Sequence, residues 1–225
     1  HLKLHTKIVL IVSGILIVSG FLFFLVAEWN NPKTLGAEGL SVGDKVLGAM
    51  FQSVTPRTAG YATIPQGDLM PASKIATTAL MFIGASPSGT GGGIKTSTFF
   101  VILQAVRSMC TKRSIGAFHR SISQQNVSKA CIIAVLSMAV VCVATFLMCV
   151  LEPECTFIQL LFEVVSAFGT VGLSTGITPN LSVASKAVII LTMYIGRLGA
   201  FTLLSMWIEH PEPSARYSEE TISIG

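Results

Sequence analysis

Two long stretches without a charged residue constrain the fold of this chain more than any other feature. One covers Ile8–Ala27, which is 20 residues, and the other covers Ala130–Leu151, which is 22 residues. A helix of about 20 apolar residues is long enough to cross the hydrocarbon core of a bilayer. Only 12% of the residues are charged, whereas a soluble domain carries about 25%. The sequence therefore predicts an all-helical membrane protein.

Four further apolar segments are interrupted or too short to cross a membrane. Ile75–Gly93 has 19 uncharged residues but is rich in glycine from Gly84 onward, and Ala187–Ile208 has 22 residues with one charge, Arg197. Val46–Val54 and Phe157–Phe168 are too short to span the bilayer. We interpret these last two as half-helices that enter the membrane and stop inside it.

The same order of segments occurs twice, and each copy contains a Thr-x-Gly phrase. The first phrase is Arg57–Tyr61 and the second is Gly169–Leu173. The residues that match at a spacing of 112 are Gly60 with Gly172, Lys74 with Lys186, and Gly84 with Gly196, and one gap places Ser53 on Ser166. A span, a half-helix, a loop and a second span in each copy predict two membrane-pore-membrane repeats of a pseudo-fourfold cation pore.

The two Thr-x-Gly loops have the features of a cation filter. Backbone carbonyls can replace the water shell of K⁺, and glycine allows the backbone angles that aim successive carbonyls at one axis. The C-terminal end of each half-helix would add partial negative charge. The predicted K⁺ ligands are the carbonyls of Thr58, Ala59, Gly60, Thr170, Val171 and Gly172; Tyr61, Gly169 and Leu173 complete the two predicted filter loops.

The distribution of charge predicts the orientation of the chain in the membrane. Lysine and arginine are enriched in cytoplasmic loops. The cations at one set of span ends are Lys3, Lys7, Arg107, Lys112, Arg113, Arg120 and Lys129, and the opposite loops carry Glu28, Glu38, Asp44, Glu152 and Glu154. We therefore expect both termini and the 107–129 loop to be cytoplasmic, and both filter loops to enter from outside.

At the level of motifs the chain resembles the Trk/Ktr/HKT superfamily of potassium transporters, most closely its Ktr-type pore subunits. The stretches that carry the resemblance are Ser53–Tyr61, Phe82–Thr96, Phe162–Pro179 and Gly196–Thr202. Members of that superfamily have four repeats around one pore, and this chain matches the last two. Because a full filter needs four loops and the chain begins at His1, we expect it to be part of a longer protein or to assemble with another chain.

The resemblance implies a function and a set of partners. It implies K⁺ uptake, often assisted by Na⁺, by a multi-pass homodimer in the inner or plasma membrane. It also implies a cytosolic ring subunit that binds a regulatory nucleotide, so that the nucleotide belongs to the partner alone. No nucleic acid is expected as a partner. The basic loop 107–129 is a candidate docking site for the ring, although it also serves as the orientation signal.

The glycine-rich segment 84–95 is predicted to be a gate, because the resemblance makes it the intramembrane loop below the filter. The predicted gate residues are Gly84, Ser86, Gly89, Gly91, Gly92, Gly93, Lys95 and Arg197. The alternative is a helix break without a role in gating. A charge at mid-span is costly, so Arg197 either faces the pore and contacts the 84–95 loop or pairs with Glu163 as a structural residue.

Two other polar residues lie beside the predicted filter. Arg57 stands where the second copy has Gly169, and we expect it to brace the filter from behind because a pore-facing cation would repel K⁺. Glu163 lies in the second half-helix and is expected to accept hydrogen bonds from neighbouring backbone rather than to bind the ion.

Three other classes of protein were considered. An enzyme that binds nucleotide is disfavoured, because Ile94 separates Gly93 from Lys95 and breaks the phosphate-loop pattern; we expect no enzyme. A secondary transporter with alternating access also uses broken helices and repeats and remains the alternative. A structural scaffold leaves the paired loops unexplained. The predicted divisions are a first repeat (1–110), a basic linker (111–129), a second repeat (130–209) and a cytoplasmic tail (210–225).

Overall fold

Helices dominate the computed structural model, which describes residues 4–87, 89, 91–111, 116–117 and 120–199. In chain order the helices are α1 Leu4–Glu28, α2 Val42–Val54, α3 Pro71–Phe82, α4 Thr96–Thr111, α5 Gln124–Leu151, α6 Phe157–Phe168 and α7 Val183–Leu198. Short 3-10 turns cover Gln66–Asp68 and Thr178–Asn180. Residues 200–225, which include the predicted cytoplasmic tail, lie outside the described residues.

The connection between the repeats is shorter than the sequence predicted. It contains a small antiparallel hairpin, β1 Gly116–Ala117 and β2 Arg120–Ser121, in which Gly116 pairs with Ser121. The predicted linker ran from 111 to 129, whereas α4 extends to Thr111 and α5 begins at Gln124. Helix α5 begins six residues before the uncharged stretch, and Val127 in this extension is buried.

Two of the described helices, α1 and α5, are long and apolar enough to cross a membrane. They carry large apolar side chains that are exposed on the chain, among them Leu10, Ile15, Val135 and Phe146. An exposed apolar face of this extent is typical of a surface that contacts another apolar phase or partner. In a membrane-spanning helix it is suited to lipid, so α1 and α5 form the spans predicted from the uncharged stretches.

The two half-helices, α2 and α6, begin at well-defined caps. The Ser41 hydroxyl accepts a hydrogen bond from the Asp44 N–H at 3.2 Å, and Asp44 accepts one from the Ser41 N–H at 3.1 Å. At α6 the Gln159 side chain accepts a hydrogen bond from the Thr156 N–H at 3.1 Å. These caps satisfy N–H groups that have no partner inside a helix, so each half-helix starts at a sequence-encoded point.

Both predicted segments that were interrupted in the sequence contain a break in the helix. The segment that begins at Ile75 in the sequence prediction belongs to α3, which is separated from α4 by the glycine-rich segment 84–95. The sequence predicted this break. Helix α7 ends at Leu198 because Gly199 takes φ of +85°, a conformation that commonly terminates helices. Arg197 therefore lies in the last turn of α7. The sequence had instead predicted a continuous helix from Val183 to Ile208 with Arg197 near its middle.

Each repeat has its own apolar core, and α3 joins the two. In the first repeat Phe24 of α1 is fully buried against α2 and α3, and in the second Met148, Leu160 and Phe162 are buried where α5 and α6 meet. Met81 of α3 belongs to the second core. Burial of one such side chain contributes about 1.5–3 kcal/mol, so the α3–α6 contact holds the repeats together.

A pair of lysines shows that the repeats share details of tertiary structure. Lys74 donates a hydrogen bond to the Gly67 carbonyl at 2.7 Å, and Lys186 donates one to the Pro179 carbonyl at 3.0 Å. Both donors and both acceptors are separated by 112 residues. The lysines thus tie each 3-10 turn to the helix that follows it, which gives a structural reason for the repeated lysine.

A pair of glutamates at the C-terminal ends of α1 and α5 has a related role. Glu28 accepts a hydrogen bond from the Met70 N–H at 2.9 Å, and Glu152 accepts one from the Ser182 N–H at 2.7 Å. Glu152 also accepts a hydrogen bond from the Ser185 hydroxyl at 2.7 Å. The hydrogen bonds from Ser182 and Ser185 lower the pKa of the Glu152 carboxyl below its usual value. Met70 and Ser182 precede the first residues of α3 and α7, so each glutamate stabilises the start of a helix.

Candidate functional site

The first loop (57–61) and the second loop (169–173) adopt matching backbone conformations. Thr58 and Gly60 have φ of +68° and +75°, and Thr170 and Gly172 have φ of +51° and +93°. Positive φ at the glycines agrees with the sequence prediction. Positive φ at the two threonines was missed, since a β-branched residue disfavours it. Strained backbone of this kind is concentrated at functional sites, and here it occurs at equivalent positions of both repeats.

A hydroxyl group at the end of each half-helix holds its loop in place. The Thr55 hydroxyl donates to the Tyr61 carbonyl, and the Ser166 hydroxyl donates to the Leu173 carbonyl at 2.6 Å. Thr55 is thus the counterpart of Ser166, and the predicted match of Ser53 with Ser166 is wrong. The second repeat has one more residue than the first between this hydroxyl and the carbonyl that it holds. The alignment gap therefore lies in the first repeat and not in the second.

The remaining carbonyls of the two loops are left free. Within the described residues, no hydrogen bond to the carbonyls of Thr58, Ala59, Gly60, Thr170, Val171 or Gly172 is formed. Most backbone carbonyls that are shielded from water have a partner. A run of three free carbonyls on each loop, bounded by a carbonyl that is held by a hydroxyl, is an arrangement that can coordinate a cation.

The two loops lie side by side. A Cβ atom added to Gly60 would overlap the Val171 carbonyl oxygen and lie 3.2 Å from its carbon. The Cα atom of Gly60 would lie 3.9 Å from a Cβ atom added to Gly172. Any side chain at Gly60 would therefore displace the neighbouring loop, so glycine is required by packing as well as by backbone angle.

The glycine-rich loop (84–95) packs against both loops. The Gly92 N–H donates a hydrogen bond to Thr170 Oγ1 at 2.8 Å. A Cβ atom at Gly91 would lie 2.7 Å from Thr58 Oγ1, and one at Gly92 would lie 2.7 Å from the Phe168 carbonyl oxygen. The glycines are thus needed for close approach of this loop to the threonines that carry positive φ.

The two ends of the glycine-rich loop are closed by backbone contacts. Ile83 and Ile94 form a parallel β-bridge, in which the Ile94 N–H donates to the Phe82 carbonyl at 3.1 Å. A Cβ atom at Gly84 would lie 3.2 Å from the Gly92 carbonyl carbon, and the Gly93 backbone has φ of +72°. The two ends of the loop are therefore held close together.

Hydrogen bonds inside the glycine-rich loop involve three more of the predicted gate residues. The Gly89 N–H donates to the Ser86 carbonyl at 3.1 Å, and the Lys95 ammonium donates to the Gly91 carbonyl. The structure thus brings all predicted gate residues of segment 84–95 into one loop, which contacts both Thr-x-Gly loops.

Arg197 lies near this loop. Its side chain is exposed at the end of α7 and is close enough to Lys95 for the two positive charges to repel each other. Within the described residues it forms no hydrogen bond to the loop carbonyls and no ion pair with Glu163. The preceding residue, Gly196, meets α6: a Cβ there would lie 2.7 Å from the Phe168 carbonyl carbon.

Arg57 is directed toward α1. Its guanidinium group donates to the Ser13 carbonyl at 3.1 Å and to the Ser13 hydroxyl at 3.0 Å. These contacts agree with the prediction that Arg57 braces its loop from behind. They also place its positive charge against Ser13 of α1.

Buried polar side chains on both half-helices were not recognised as a related pair in the sequence. Gln52 lies three residues before Thr55, and Glu163 lies three residues before Ser166. Gln52 bonds to Gln66, and Glu163 bonds to the segment after the second loop, including the Thr175 N–H at 2.8 Å. The expectation that Glu163 accepts a backbone hydrogen bond agrees with this contact. Correct alignment of the hydroxyl residues would have revealed the pair.

Comparison with known proteins decides the family. The model of the TrkH family, described as cation transport protein, matches residues 2–218. This chain belongs to the TrkH family. The predicted resemblance is confirmed, and membership in a family of transport proteins agrees with the prediction that the chain is not an enzyme.

Individual TrkH-family relatives match the whole chain. Ktr system potassium uptake protein B of Bacillus subtilis is 38% identical over 99% of this chain and 50% of its own length. Potassium/sodium uptake protein NtpJ of Enterococcus hirae is 37% identical over 100% of this chain and 51% of its own length. The chain thus spans about half the length of the curated relatives it matches.

A solved structure has the same fold. The potassium transporter TrkH from Vibrio parahaemolyticus matches with a TM-score of 0.72 and 22% identity, over 88% of this chain and 43% of that protein. This similarity confirms the predicted all-helical membrane fold of the TrkH family.

Proposed function

We propose that this chain forms half of a pore through which K⁺ enters the cell. The observation that carries the proposal is the set of free carbonyls at Thr58–Gly60 and Thr170–Gly172, displayed by two loops of matching conformation. Carbonyl oxygens are the ligands that K⁺ filters use. The relatives named as potassium uptake proteins support K⁺ as the transported substrate.

The route of the ion follows from the neighbours of these carbonyls. Helices α2 and α6 end at the two loops, so their C-terminal partial negative charge favours a cation there. The glycine-rich loop contacts Thr58 and Thr170 on both loops and acts as the gate. Arg197 and Lys95 add positive charge on the same side of the loops, which raises the barrier for a cation that leaves the filter.

Other parts of the proposal rest on the family. A complete filter needs two further loops, which an upstream pair of repeats or another chain would supply. The protein acts as a multi-pass homodimer in the cell membrane and is regulated by a cytosolic nucleotide-binding ring. Na⁺ either assists transport or is itself carried, a possibility supported by the name of the Enterococcus relative, a potassium/sodium uptake protein.

Rb⁺ uptake into proteoliposomes tests this proposal. The chain is compared with a version extended by an upstream pair of repeats, and with protein-free liposomes, in the presence of competing K⁺ or Na⁺. We expect uptake that K⁺ suppresses more than Na⁺ does, with the extended version or with an assembly of two short chains. Equal suppression by K⁺ and Na⁺ would contradict the filter. Absence of uptake from both versions, with and without the ring subunit, would contradict the pore.

A further inference from the structure

Glu163 and Gln52 occupy equivalent places in the two repeats but differ in charge. Each lies three residues before the hydroxyl that holds its loop, and both side chains are buried, with exposures of 6% for Glu163 and 0% for Gln52. A buried carboxylate is costly unless its charge is compensated or serves a function. Comparison of Gln52 with Glu163 therefore separates the role of the negative charge from the role of the hydrogen bonds.

Glu163 ties the chain that follows the second loop to α6. Its Oε1 atom accepts hydrogen bonds from the Ser174 hydroxyl at 2.7 Å, the Thr175 N–H at 2.8 Å and the Thr175 hydroxyl at 3.0 Å. Its Oε2 atom accepts one from the Thr178 hydroxyl at 2.8 Å. Three of these contacts come from hydroxyl groups, and one comes from an N–H. The Ser174 and Thr178 hydroxyls also lie 2.8 Å from each other, so both carboxylate oxygens are held by one connected group of neutral side chains and backbone.

The equivalent clamp in the first repeat is neutral. The Gln52 amide donates to Gln66 Oε1 at 2.8 Å, and the Gln66 amide donates back to Gln52 Oε1 at 3.0 Å. The Gln66 amide also donates to the Ile64 carbonyl at 2.8 Å. This pair joins the half-helix to the chain after the first loop as Glu163 does in the second repeat. A negative charge is thus not needed to build the clamp.

Within the described residues, no lysine, arginine or histidine forms an ion pair with Glu163. The one ion pair among the described residues joins Lys33 to Asp68, and every partner of Glu163 is a neutral group. Ser174, which donates to Glu163, directly follows Leu173, the last residue of the second loop. Charges in a medium of low dielectric constant act over longer distances than in water, so a cation in the filter experiences the field of this carboxylate.

We propose that Glu163 sets the affinity of the pore for the entering monovalent cation through its negative charge, in addition to positioning the second loop. This inference rests on the proposed function as a K⁺ pore. Glu163 does not touch the ion; it acts from behind the second loop. The free carbonyls provide the ligands, and the uncompensated charge lowers the free energy of the cation that they bind.

The first test compares Glu163→Gln with Glu154→Gln in the version of the protein that takes up Rb⁺. Both substitutions remove one negative charge from the second repeat, but Glu154 is exposed before α6. For Glu163→Gln we expect KM for Rb⁺ to rise about threefold to tenfold, the range of one charge acting across several ångströms of protein. Vmax should stay within about twofold of wild type, since a glutamine clamp suffices in the first repeat. Glu154→Gln should leave KM unchanged.

The second test moves the charge between the repeats. In Gln52→Glu combined with Glu163→Gln, the carboxylate stands behind the first loop instead of the second. We expect KM to return toward the wild-type value, because Gln52 and Glu163 occupy equivalent positions, each three residues before the hydroxyl that holds its loop. A role confined to hydrogen bonding predicts no such rescue. Size-exclusion chromatography and thermal unfolding confirm that each variant folds before its KM is interpreted.

The outcomes separate this inference from the proposed function. Selective Rb⁺ uptake by wild type together with an unchanged KM in Glu163→Gln would overturn the inference alone. A raised KM without rescue by the double variant would also overturn the charge mechanism and leave a positioning role. Failure of wild type to take up Rb⁺ would overturn the proposed function and this inference with it.

Discussion

The Gly92 N–H donates a hydrogen bond of 2.8 Å to Thr170 Oγ1, and this bond joins the glycine-rich loop to the second loop. The two residues are 78 positions apart in the chain and belong to different repeats. Because the bond connects the proposed gate with the proposed filter, it offers a direct way to change one without removing the carbonyls of the other.

Thr170→Val is expected to raise Rb⁺ uptake. Valine preserves the shape and the backbone carbonyl of Thr170 but removes the acceptor for the Gly92 N–H. Loss of one hydrogen bond of about 1 kcal/mol shifts a closed-to-open equilibrium about fivefold. The initial rate of uptake in proteoliposomes measures this shift.

Thr58→Val is the matched control for Thr170→Val. Thr58 has the equivalent position and positive φ, but within the described residues its hydroxyl forms no hydrogen bond to the glycine-rich loop. Its uptake rate should change much less. Equal effects of the two substitutions, or a fall in uptake with Thr170→Val, would contradict a gating role for the Gly92–Thr170 bond.

Gly172→Ser is expected to weaken the preference for K⁺ over Na⁺. Gly172 has φ of +93°, and a residue with a Cβ atom loses about 1–2 kcal/mol in a left-handed conformation. The loop relieves this strain by rotating the carbonyls that would bind K⁺, which reduces selectivity about fivefold or more. Competition of K⁺ and Na⁺ against Rb⁺ uptake measures the change.

Gly176→Ser is the corresponding control. Gly176 has φ of +95° and no atom within 4 Å of an added Cβ, so its substitution introduces the same backbone strain outside the second loop. Selectivity should stay at the wild-type value. If Gly172→Ser also retained wild-type selectivity, the assignment of the second loop as a filter would be wrong.

Gly196→Ala is expected to destabilise the protein. The added Cβ would lie 2.7 Å from the Phe168 carbonyl carbon and closer still to its oxygen, so α7 must move away from α6. Overpacking of this kind costs about 1–3 kcal/mol. Thermal unfolding in detergent should show a lower Tm than wild type.

Gly14→Ala provides the comparison for Gly196→Ala. Gly14 lies in α1, and no atom is within 4 Å of an added Cβ. Alanine is favoured over glycine by about 1 kcal/mol inside a helix, so Tm should be unchanged or higher. An unaltered Tm in Gly196→Ala would show that the close approach of α7 to α6 is not required.

Glu152→Gln is expected to lower stability at neutral pH but not at acidic pH. The hydrogen bonds from Ser182 and Ser185 lower the pKa of Glu152 in the folded protein. A group with a lowered pKa stabilises the fold above its unfolded pKa, and this stabilisation is lost as the pH falls through the folded pKa. The Tm difference between wild type and Glu152→Gln should therefore be largest near pH 7. It should become smaller below about pH 4, which is below the usual pKa of a glutamate carboxyl. A Tm difference that is independent of pH would contradict this role of the charge.

The sequence determined the helical elements and the existence of two repeats. Uncharged stretches predicted α1 and α5, because a bilayer requires long apolar helices. The bounds of α6 agree with the predicted Phe157–Phe168 segment, and the break at 84–95 was also predicted. Both follow from local chemistry: a cap begins a short apolar helix, and a run of glycines cannot continue one.

Only the tertiary structure decided which residues act together. The sequence alignment matched Ser53 with Ser166, whereas the hydrogen bonds match Thr55 with Ser166. The Gly92–Thr170 bond and the positive φ of both threonines also had no signal in the sequence. A backbone hydrogen bond to Glu163 was expected, but its partner, Thr175, was not. Hydrogen bonds of this kind depend on distances between segments that are far apart in the chain, and a sequence pattern reports only the periodicity and composition of each segment by itself.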